Sequence, residues 1–305
     1  MKKVLFATTA LVATAGVAAA DVTFGGYGRF GIDYDEARAA GSETRIESRF
    51  RLVVTASAES DNGLSFGAQI RYQSNEAATG YGASAAGFNM PRFWVSTGGL
   101  TVSVGNTLGA LENMPGMYAG SLGLTGLGYA NVVYNFLGDA YTSGAGGRQG
   151  LDVIYAAGNW GVHLSYSPDA ASQGGVGTLE RTALAVSYTM GNYTFALAGQ
   201  DSNSAADTEF AFTAGGSWGN LDATLQYADN GTGGSKYGIG GQYQVGSATF
   251  IRAYINHDEA LAGGTGDENM GIGFQHRFGG GTFLEGGVAD LAGRTRADLG
   301  LRFSF

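Results

Sequence analysis

The sequence predicts an all-β fold: a sixteen-stranded antiparallel transmembrane β-barrel whose third long connection folds inward. From Asp21 onward, apolar and polar residues alternate with the period of two that marks half-buried strands. Glycine- and asparagine-rich tight turns interleave with longer polar connections. Charged residues make up 14% of the chain and glycine accounts for 54 of its 305 residues, against about 25% and about 7% in soluble domains.

The first twenty residues have the pattern of a targeting segment. Lys2 and Lys3 are followed by an apolar run over residues 4–17 and by the small residues Ala18 to Ala20. We expect residues 1–20 to be a signal peptide cleaved after Ala20, which leaves residues 21–305 as one barrel domain. An uncleaved anchor is the alternative, but the apolar run is short for a membrane-spanning helix.

The individual strands alternate cleanly. In the second strand, Phe50, Leu52 and Val54 alternate with Arg49, Arg51 and Thr55. The same pattern marks the first, third and last strands, with outward residues Val22, Phe24, Phe30, Ile32, Tyr34; Leu64, Phe66, Ala68, Ile70, Tyr72; and Leu299, Leu301, Phe303, Phe305.

The connections set the strand count. Seven tight turns lie near residues 61–63, 98–99, 158–159, 191–192, 219–220, 246–247 and 279–281. Eight longer connections lie near residues 35–43, 76–90, 107–150, 168–179, 202–207, 229–235, 258–268 and 291–296. Fifteen connections join sixteen strands, provided that the short strand-like stretch 129–136 belongs to the third long connection. An even count with short turns on one side and long loops on the other is typical of bacterial outer-membrane barrels, with both termini on the periplasmic side.

The distribution of charges and aromatics supports the same assignment of faces. A Lys or Arg facing lipid at the midplane costs about 2–4 kcal/mol, and the strand-centre charges fall on the predicted inward face. These are Arg29, Arg49, Arg51, Arg71, Arg92, Asp152, Asp222, Arg252, Arg277, Glu285 and Arg302. Outward aromatics gather near strand ends, as in interfacial girdles: Tyr155, Trp160, Tyr188, Tyr193, Trp218 and Tyr243 by the short turns, and Tyr34, Tyr72, Tyr166 and Tyr227 toward the long loops.

Residues 107–150 form the connection around which we interpret the chain. They show neither sustained strand alternation nor a helical stripe, and loops beyond about 15 residues are usually functional or disordered. A barrel of about sixteen strands is too wide for side chains to fill. We therefore predict that this connection enters the lumen and narrows a water-filled channel.

Several motifs carry a family resemblance along the whole chain. They are FGGYGRFG at residues 24–31, RFRL at 49–52, WVSTGGLTVSVGNTLG before the third long connection, and the terminal GLRFSF. In these the chain resembles the general bacterial porins of the alphaproteobacterial type. The resemblance implies a homotrimer in the outer membrane, through which small hydrophilic solutes and ions diffuse passively.

The resemblance also implies a constriction in which third-loop carboxylates face an arginine cluster. Here the third loop carries Glu112 and Asp139. The candidate basic side is Arg29, Arg49, Arg51, Arg71 and Arg92, which share the inward face of neighbouring strands. A charged constriction selects by field and hydrogen bonding. The alternative is a solvated, partly ion-paired wall without a selective role.

Two other functions remain as alternatives. A substrate-specific channel would need an aromatic lining, whereas the inward aromatics are few: Tyr27, Trp94, Phe250 and Tyr254. A barrel phospholipase would need a lipid-facing His-x-Ser pair, whereas His163 and Ser165 are predicted to face the lumen. We therefore expect no enzyme activity.

No cofactor is expected. The G-x-G-x-x-G match at residues 26–31 lies within a strand and precedes no helix, so its glycines are interpreted as sites of close approach. No metal site is predicted in the barrel, and the chain has no cysteine. The loop acids Asp258, Glu259, Asp267 and Glu268 leave two possibilities open: a structural Ca²⁺, or a bridge through cations to lipopolysaccharide of the outer membrane. A net charge of −9 argues against nucleic acid as a partner.

Overall fold

The computed structural model describes residues 21–75, 86–135, 140–144, 146–170, 179–203, 208–261 and 266–305. The predicted signal peptide, residues 1–20, lies outside this part of the chain, as does Asp139. The strands are β1 Asp21–Asp35, β2 Thr44–Glu59, β3 Ser65–Asn75, β4 Gly87–Phe88, β5 Arg92–Thr97, β6 Leu100–Gly105, β7 Gly150–Ala157, β8 Trp160–Ala170, β9 Leu179–Met190, β10 Tyr193–Ser202, β11 Glu209–Trp218, β12 Leu221–Asp229, β13 Ser235–Gln244, β14 Thr249–Asp258, β15 Glu268–Gly279, β16 Thr282–Leu291 and β17 Arg294–Ser304. Three short 3₁₀ turns lie at Leu127–Tyr129, Gly231–Gly233 and Glu259–Leu261.

The strands close into one antiparallel barrel. β1 pairs with β2 on one side and with β17 on the other, from Tyr27↔Ser304 to Asp35↔Arg296. β4 and β5 both pair with β3, so together they fill one position in the wall. The predicted sixteen-stranded antiparallel barrel is therefore confirmed. Closure pairs the strand edges that an open sheet would expose to lipid.

The interruption between β4 and β5 has a local cause. The Asn89 side chain accepts the Arg71 N–H at 2.8 Å, and the Asn89 N–H donates to the Arg71 carbonyl, also at 2.8 Å. Pro91 follows, and proline has no N–H to continue the ladder. The sequence predicts a loop over all of residues 76–90, whereas in the structure Gly87–Phe88 is a strand paired with β3.

One predicted connection is wrong. The eighth long connection, expected near residues 291–296, is a two-residue turn at Ala292 and Gly293, both with positive φ. Two positive φ values match the twist of a tight hairpin. The polar residues after the turn belong to β17, where Arg294 and Arg296 form ion pairs with Asp35 of β1.

The outer face is apolar and carries aromatic pairs at its short-turn rim. Outward residues such as Phe24, Leu225 and Ile272 are exposed. Trp160 and Tyr188 lie 4.6 Å apart between ring centroids, and Trp218 donates its indole N–H to the Tyr193 hydroxyl at 3.1 Å. Amphipathic rings of this kind are enriched at membrane–water interfaces. Among the described residues, no helix is long and apolar enough to cross a membrane.

Glycine in β1 permits close approach, as predicted for the G-x-G-x-x-G stretch. A Cβ at Gly28 would lie 2.5 Å from the Phe303 ring, which therefore covers the backbone there. A Cβ at Gly31 would lie 2.2 Å from the Leu299 carbonyl oxygen. A larger residue at Gly31 would therefore push the backbone of β1 away from that of β17, the pair that closes the barrel, whereas one at Gly28 would displace the Phe303 ring.

The buried core lies inside the barrel, between its wall and the segment that joins β6 to β7. We call residues 106–149 the lumen segment, and the structure describes 106–135, 140–144 and 146–149 of it. Leu111, Met114, Met117, Val132 and Val133 pack against inward-facing alanines of β9, β10, β11 and β12: Ala183, Ala185, Ala196, Ala198, Ala211 and Ala228. Small residues on this part of the wall leave room for the segment.

Candidate channel constriction

The first part of the lumen segment, which follows β6, is hydrogen-bonded to the inner wall of the barrel. The Ala110 N–H donates to Ser165 Oγ at 2.9 Å. Further on, the Gln226 side-chain amide donates to the carbonyls of Gly116 and Met117 at 2.8 and 2.7 Å. Both wall residues lie at inward positions, so the segment lies inside the barrel. The predicted inward-folded third loop is therefore confirmed.

The far end of the segment is held at the junction of β17 and β1. The Asp298 carboxylate accepts hydrogen bonds from the backbone N–H of Leu124 at 2.9 Å and from the N–H and hydroxyl of Thr125, both at 2.7 Å. Arg29 donates to the Leu124 carbonyl at 2.9 Å. The segment thus extends from β8 to β17 and β1.

The returning part of the segment is also held by wall amides. Asn256 donates to the Ala130 carbonyl at 2.6 Å, and Asn230 donates to the Val133 carbonyl at 3.0 Å. Near its end, Asn106 exchanges two hydrogen bonds with the backbone of Thr142. Backbone groups that no strand pairs are satisfied by side chains here, as burial requires.

The five predicted basic residues lie on adjacent strands of the opposite wall. Arg29 and Arg49 are direct cross-strand neighbours in β1 and β2. Arg49, Arg51, Arg71 and Arg92 bind mainly neutral groups. Arg49 donates to Asn75 at 2.6 Å and Arg51 to Gln73 at 2.7 Å, while Arg71 donates to the Tyr141 hydroxyl. We call these four arginines the basic wall.

Tyr27 organises part of this surface. The Arg51 and Arg302 guanidinium carbons lie 5.1 and 4.5 Å from its ring centroid, and Arg49 donates to its hydroxyl at 3.4 Å. Cation–π contacts orient guanidinium groups without neutralising them. Like-charged groups are therefore held together on the lumen side.

Arg29 differs from the basic wall. Its side chain is only 7% exposed, it forms an ion pair with the buried Glu47, and it binds the Leu124 carbonyl. Removing one partner of a buried ion pair leaves an uncompensated charge. The structure thus places Arg29 as an anchor for the lumen segment.

Glu112 lies on the lumen segment but forms no ion pair with the five candidate arginines within the described residues. Its carboxylate accepts a hydrogen bond from the Tyr118 hydroxyl at 2.9 Å. Burial raises the pKa of the Glu112 carboxyl, and this hydrogen bond acts against the rise. Tyr118 packs edge-on against Tyr129, at 6.2 Å between ring centroids, and both rings are exposed. The described part of the segment therefore presents tyrosines and one carboxylate.

Sequence reasoning missed the anchoring residues. In the sequence, Asp298, Gln226 and Asn256 are ordinary strand positions, and Asn230 lies in the long connection near residues 229–235. For the three strand residues, the only signal is a polar side chain on the inward face of a late strand. Nothing in their spacing indicates a partner 97 to 174 residues away.

Of the two residues of the enzyme alternative, Ser165 contacts the base of the lumen segment and His163 contacts the wall. His163 Nε2 lies 3.5 Å from the Asp152 carboxylate, and Ser165 accepts the Ala110 N–H. Both face inward as predicted, away from the lipid.

The loop acids considered for Ca²⁺ have other partners. Asp258 lies 3.2 Å from the Lys236 ammonium, and Glu259 accepts the Ser235 N–H at 2.8 Å. Asp267 lies 3.6 Å from His257. Within the described ranges, no three acidic or histidine side chains come together as metal ligands.

A closed membrane barrel with a segment fixed inside its lumen and a row of arginines opposite defines a porin-type channel. The chain belongs to the Gram-negative porin family, whose model matches residues 7–296. It is 32% identical over 299 residues to a porin of Fuscovulum blasticum, covering 93% of this chain and 100% of that protein.

Solved structures give the same result. A double mutant of the Rhodopseudomonas blastica porin matches with a TM-score of 0.78 and 28% identity, over 93% of this chain and all of the other. A second mutant of that porin, with five substitutions, matches with a TM-score of 0.80 and 28% identity over the same shares. The protein is accordingly an outer-membrane porin, a channel for small hydrophilic solutes and ions.

Proposed function

We propose that permeability is set at a constriction formed by the lumen segment on one side and the basic wall on the other. The observation that carries this proposal is the set of hydrogen bonds that hold the segment inside the barrel, above all those of Asp298 and Gln226. Asp139 belongs to the proposal from the sequence alone. Passive diffusion involves no chemical step and needs no cofactor.

Reconstitution into planar bilayers and liposomes tests the constriction. Wild-type channels should pass salts and small sugars with a sharp size limit. Deleting residues 112–131, which include the anchored tip, should raise single-channel conductance and admit larger sugars in a liposome-swelling assay. Unchanged size exclusion in a correctly folded deletion variant would remove the segment from the permeability barrier.

We further propose that the channel is a homotrimer that meets along the wall at β5 and β6. These strands have six residues each, against 15 in β1 and 16 in β2. Six residues span about 20 Å, and a tilt of about 40° reduces their height to about 15 Å, short of the ~25 Å apolar band of such barrels. A neighbouring subunit would cover this low part of the wall better than lipid.

Light scattering in detergent tests the assembly. Phe93→Ser on the outer face of β5 should weaken a trimer, whereas Phe195→Ser on the outer face of the ten-residue β10 should leave it intact. Equal behaviour of the two variants, or a monomeric wild type, would contradict the proposed interface.

Residues 1–20 are proposed to be removed on export to the outer membrane, and sequencing of the mature protein should then begin at Asp21.

Lipopolysaccharide is proposed to contact the rim of the barrel that carries the long connections. There Arg294 is 46% exposed beside Asp35 and provides a cation for the phosphates of lipopolysaccharide. Co-purification of lipopolysaccharide with wild type, reduced by Arg294→Gln, tests that contact.

We propose that the protein has no hydrolytic activity, because Ser165 is engaged by the lumen segment and both His163 and Ser165 face the lumen. Lipid hydrolysis that disappears in Ser165→Ala would contradict this. A substrate-specific channel is not favoured.

We also propose that the loops can bind a structural Ca²⁺. Adding a chelator during a thermal unfolding measurement tests this, because loss of a bound Ca²⁺ should lower the unfolding temperature.

A further inference from the structure

A recess lies beside the basic wall. It is bounded by the inward faces of β3 and β5 and by the two ends of the lumen segment. Its polar lining comprises Gln69, Arg71, Asn89, Arg92, Asn106 and Tyr141. Gln69 and Arg92 are direct cross-strand neighbours. Arg71 lies two residues beyond Gln69 on the same face of β3, so both guanidinium groups line one small space.

Neither guanidinium group of this recess forms an ion pair with a carboxylate in the described part of the chain. Arg71 donates to the Tyr141 hydroxyl, with its guanidinium carbon 5.2 Å from that ring centroid. Arg92 lies 5.0 Å above the Trp94 ring, and its Nε has no hydrogen-bond partner in the described part of the chain. Asp152 attracts Arg92 electrostatically but forms no ion pair with it among the described residues, and its carboxylate lies 3.5 Å from His163.

The side-chain oxygens of the two asparagines that line the recess are already occupied. The side-chain amides of Asn89 and Asn106 both donate to the Thr142 carbonyl, at 3.0 and 2.9 Å. The Asn106 carbonyl accepts the Thr142 N–H at 2.8 Å, and the Asn89 carbonyl accepts the Arg71 N–H. These bonds fix the two asparagine side chains, while guanidinium N–H groups of Arg71 and Arg92 remain available as donors.

We propose that the Arg71–Arg92 recess binds a small oxyanion, a carboxylate or a phosphate, as a weak stepping site for anions crossing the channel. Two guanidinium groups present forked donors that match the geometry of both anions. A binding step assists permeation when it is strong enough to attract the ion and weak enough to release it. The inference rests on the proposed function, because the recess must open to the conducting path.

The test uses reconstituted wild-type channels in planar bilayers with KCl as the charge carrier and inorganic phosphate as the added probe. Phosphate should reduce the chloride current with a saturable dependence on concentration, and acetate in a parallel series should do so if carboxylates also bind. Arg71→Gln and Arg92→Gln should each raise the half-blocking concentration at least fivefold.

Two variants distinguish anion binding in the recess from a general effect of the positive potential in the lumen. Arg277→Gln removes an inward arginine outside the recess, which stacks on Phe250 at 4.3 Å, and should leave the half-blocking concentration within twofold. Arg92→Lys retains the charge but loses the fork, so block should weaken while ion selectivity stays. Equal loss of block in Arg277→Gln and Arg92→Gln, or current that falls without saturation, would overturn the site. Failure of the proposed constriction would instead appear as unchanged size exclusion when residues 112–131 are deleted.

Discussion

The Asp298 carboxylate, in the last strand, accepts the backbone N–H of Thr125, at the far end of the lumen segment, at 2.7 Å. The same carboxylate binds the Leu124 N–H and the Thr125 hydroxyl. One side chain thus satisfies three donors from a stretch that no strand pairs. The far end of the segment depends on this residue for its position.

Asp298→Ala should release that end. Hydrogen bonds to charged groups contribute about 1.5–3 kcal/mol each, so loss of three should let the tip leave the wall and increase open-channel noise. The matched control is Asp222→Ala, a lumen carboxylate that binds Ser217 and Gln242 instead. Equal noise in the two variants, recorded from single channels, would show that Asp298 does not hold the segment.

Close packing between wall and segment gives a second prediction. A Cβ at Gly240 of β13 would lie 2.4 Å from the Ala119 carbonyl oxygen, so Gly240→Val should displace the segment by steric overlap. Overpacking of this kind typically costs about 1–3 kcal/mol. Single-channel conductance should change in Gly240→Val and stay at the wild-type value in Gly246→Val, where a Cβ meets open space. Wild-type conductance in both would place the segment away from β13.

The basic wall should favour anions. An ion about 6 Å from a unit charge in water interacts by about 0.7 kcal/mol, which corresponds to roughly threefold in permeability. Arg49→Gln and Arg51→Gln should each lower the chloride-to-potassium permeability ratio by about that factor, measured as a reversal potential across a KCl gradient. An unchanged ratio in the double variant would remove both residues from the conducting path.

The buried carboxylate of Asp33 should matter for stability. It is fully buried and forms ion pairs with Arg38, with Arg45 at 3.2 Å and with Arg296 at 3.6 Å, which join β1 to β2 and β17. Neutralising one member of a buried ionic network leaves the other charges uncompensated, at about 3–5 kcal/mol. Asp33→Asn should therefore unfold at a clearly lower temperature in a heat-modifiability gel.

The control for that measurement is Asp61→Asn, in the exposed turn between β2 and β3. This variant should unfold at the same temperature as the wild type. A normal unfolding temperature for Asp33→Asn would mean that the three arginines find other partners without loss.

Local rules settled most of the wall. The period of two assigns each residue to a face, because successive side chains of a strand point to opposite sides. Phe50 and Arg51, for example, were assigned correctly from their neighbours alone. The tight turn at Ala292 and Gly293 is not predicted, because the polar residues after it favour a longer loop over residues 291–296. Their place in β17 depends on ion pairs with Asp35, at the other end of the chain.

By itself, the sequence determined the barrel, its two faces and the existence of one long exceptional connection, since alternation and turn chemistry are properties of adjacent residues. Only the tertiary structure decided where that connection lies and what holds it. Alternation sets the face of a residue but not its depth or its partner. The contacts of Asp298 with Thr125, of Gln226 with Met117 and of Arg29 with Leu124 form only after the cylinder has closed.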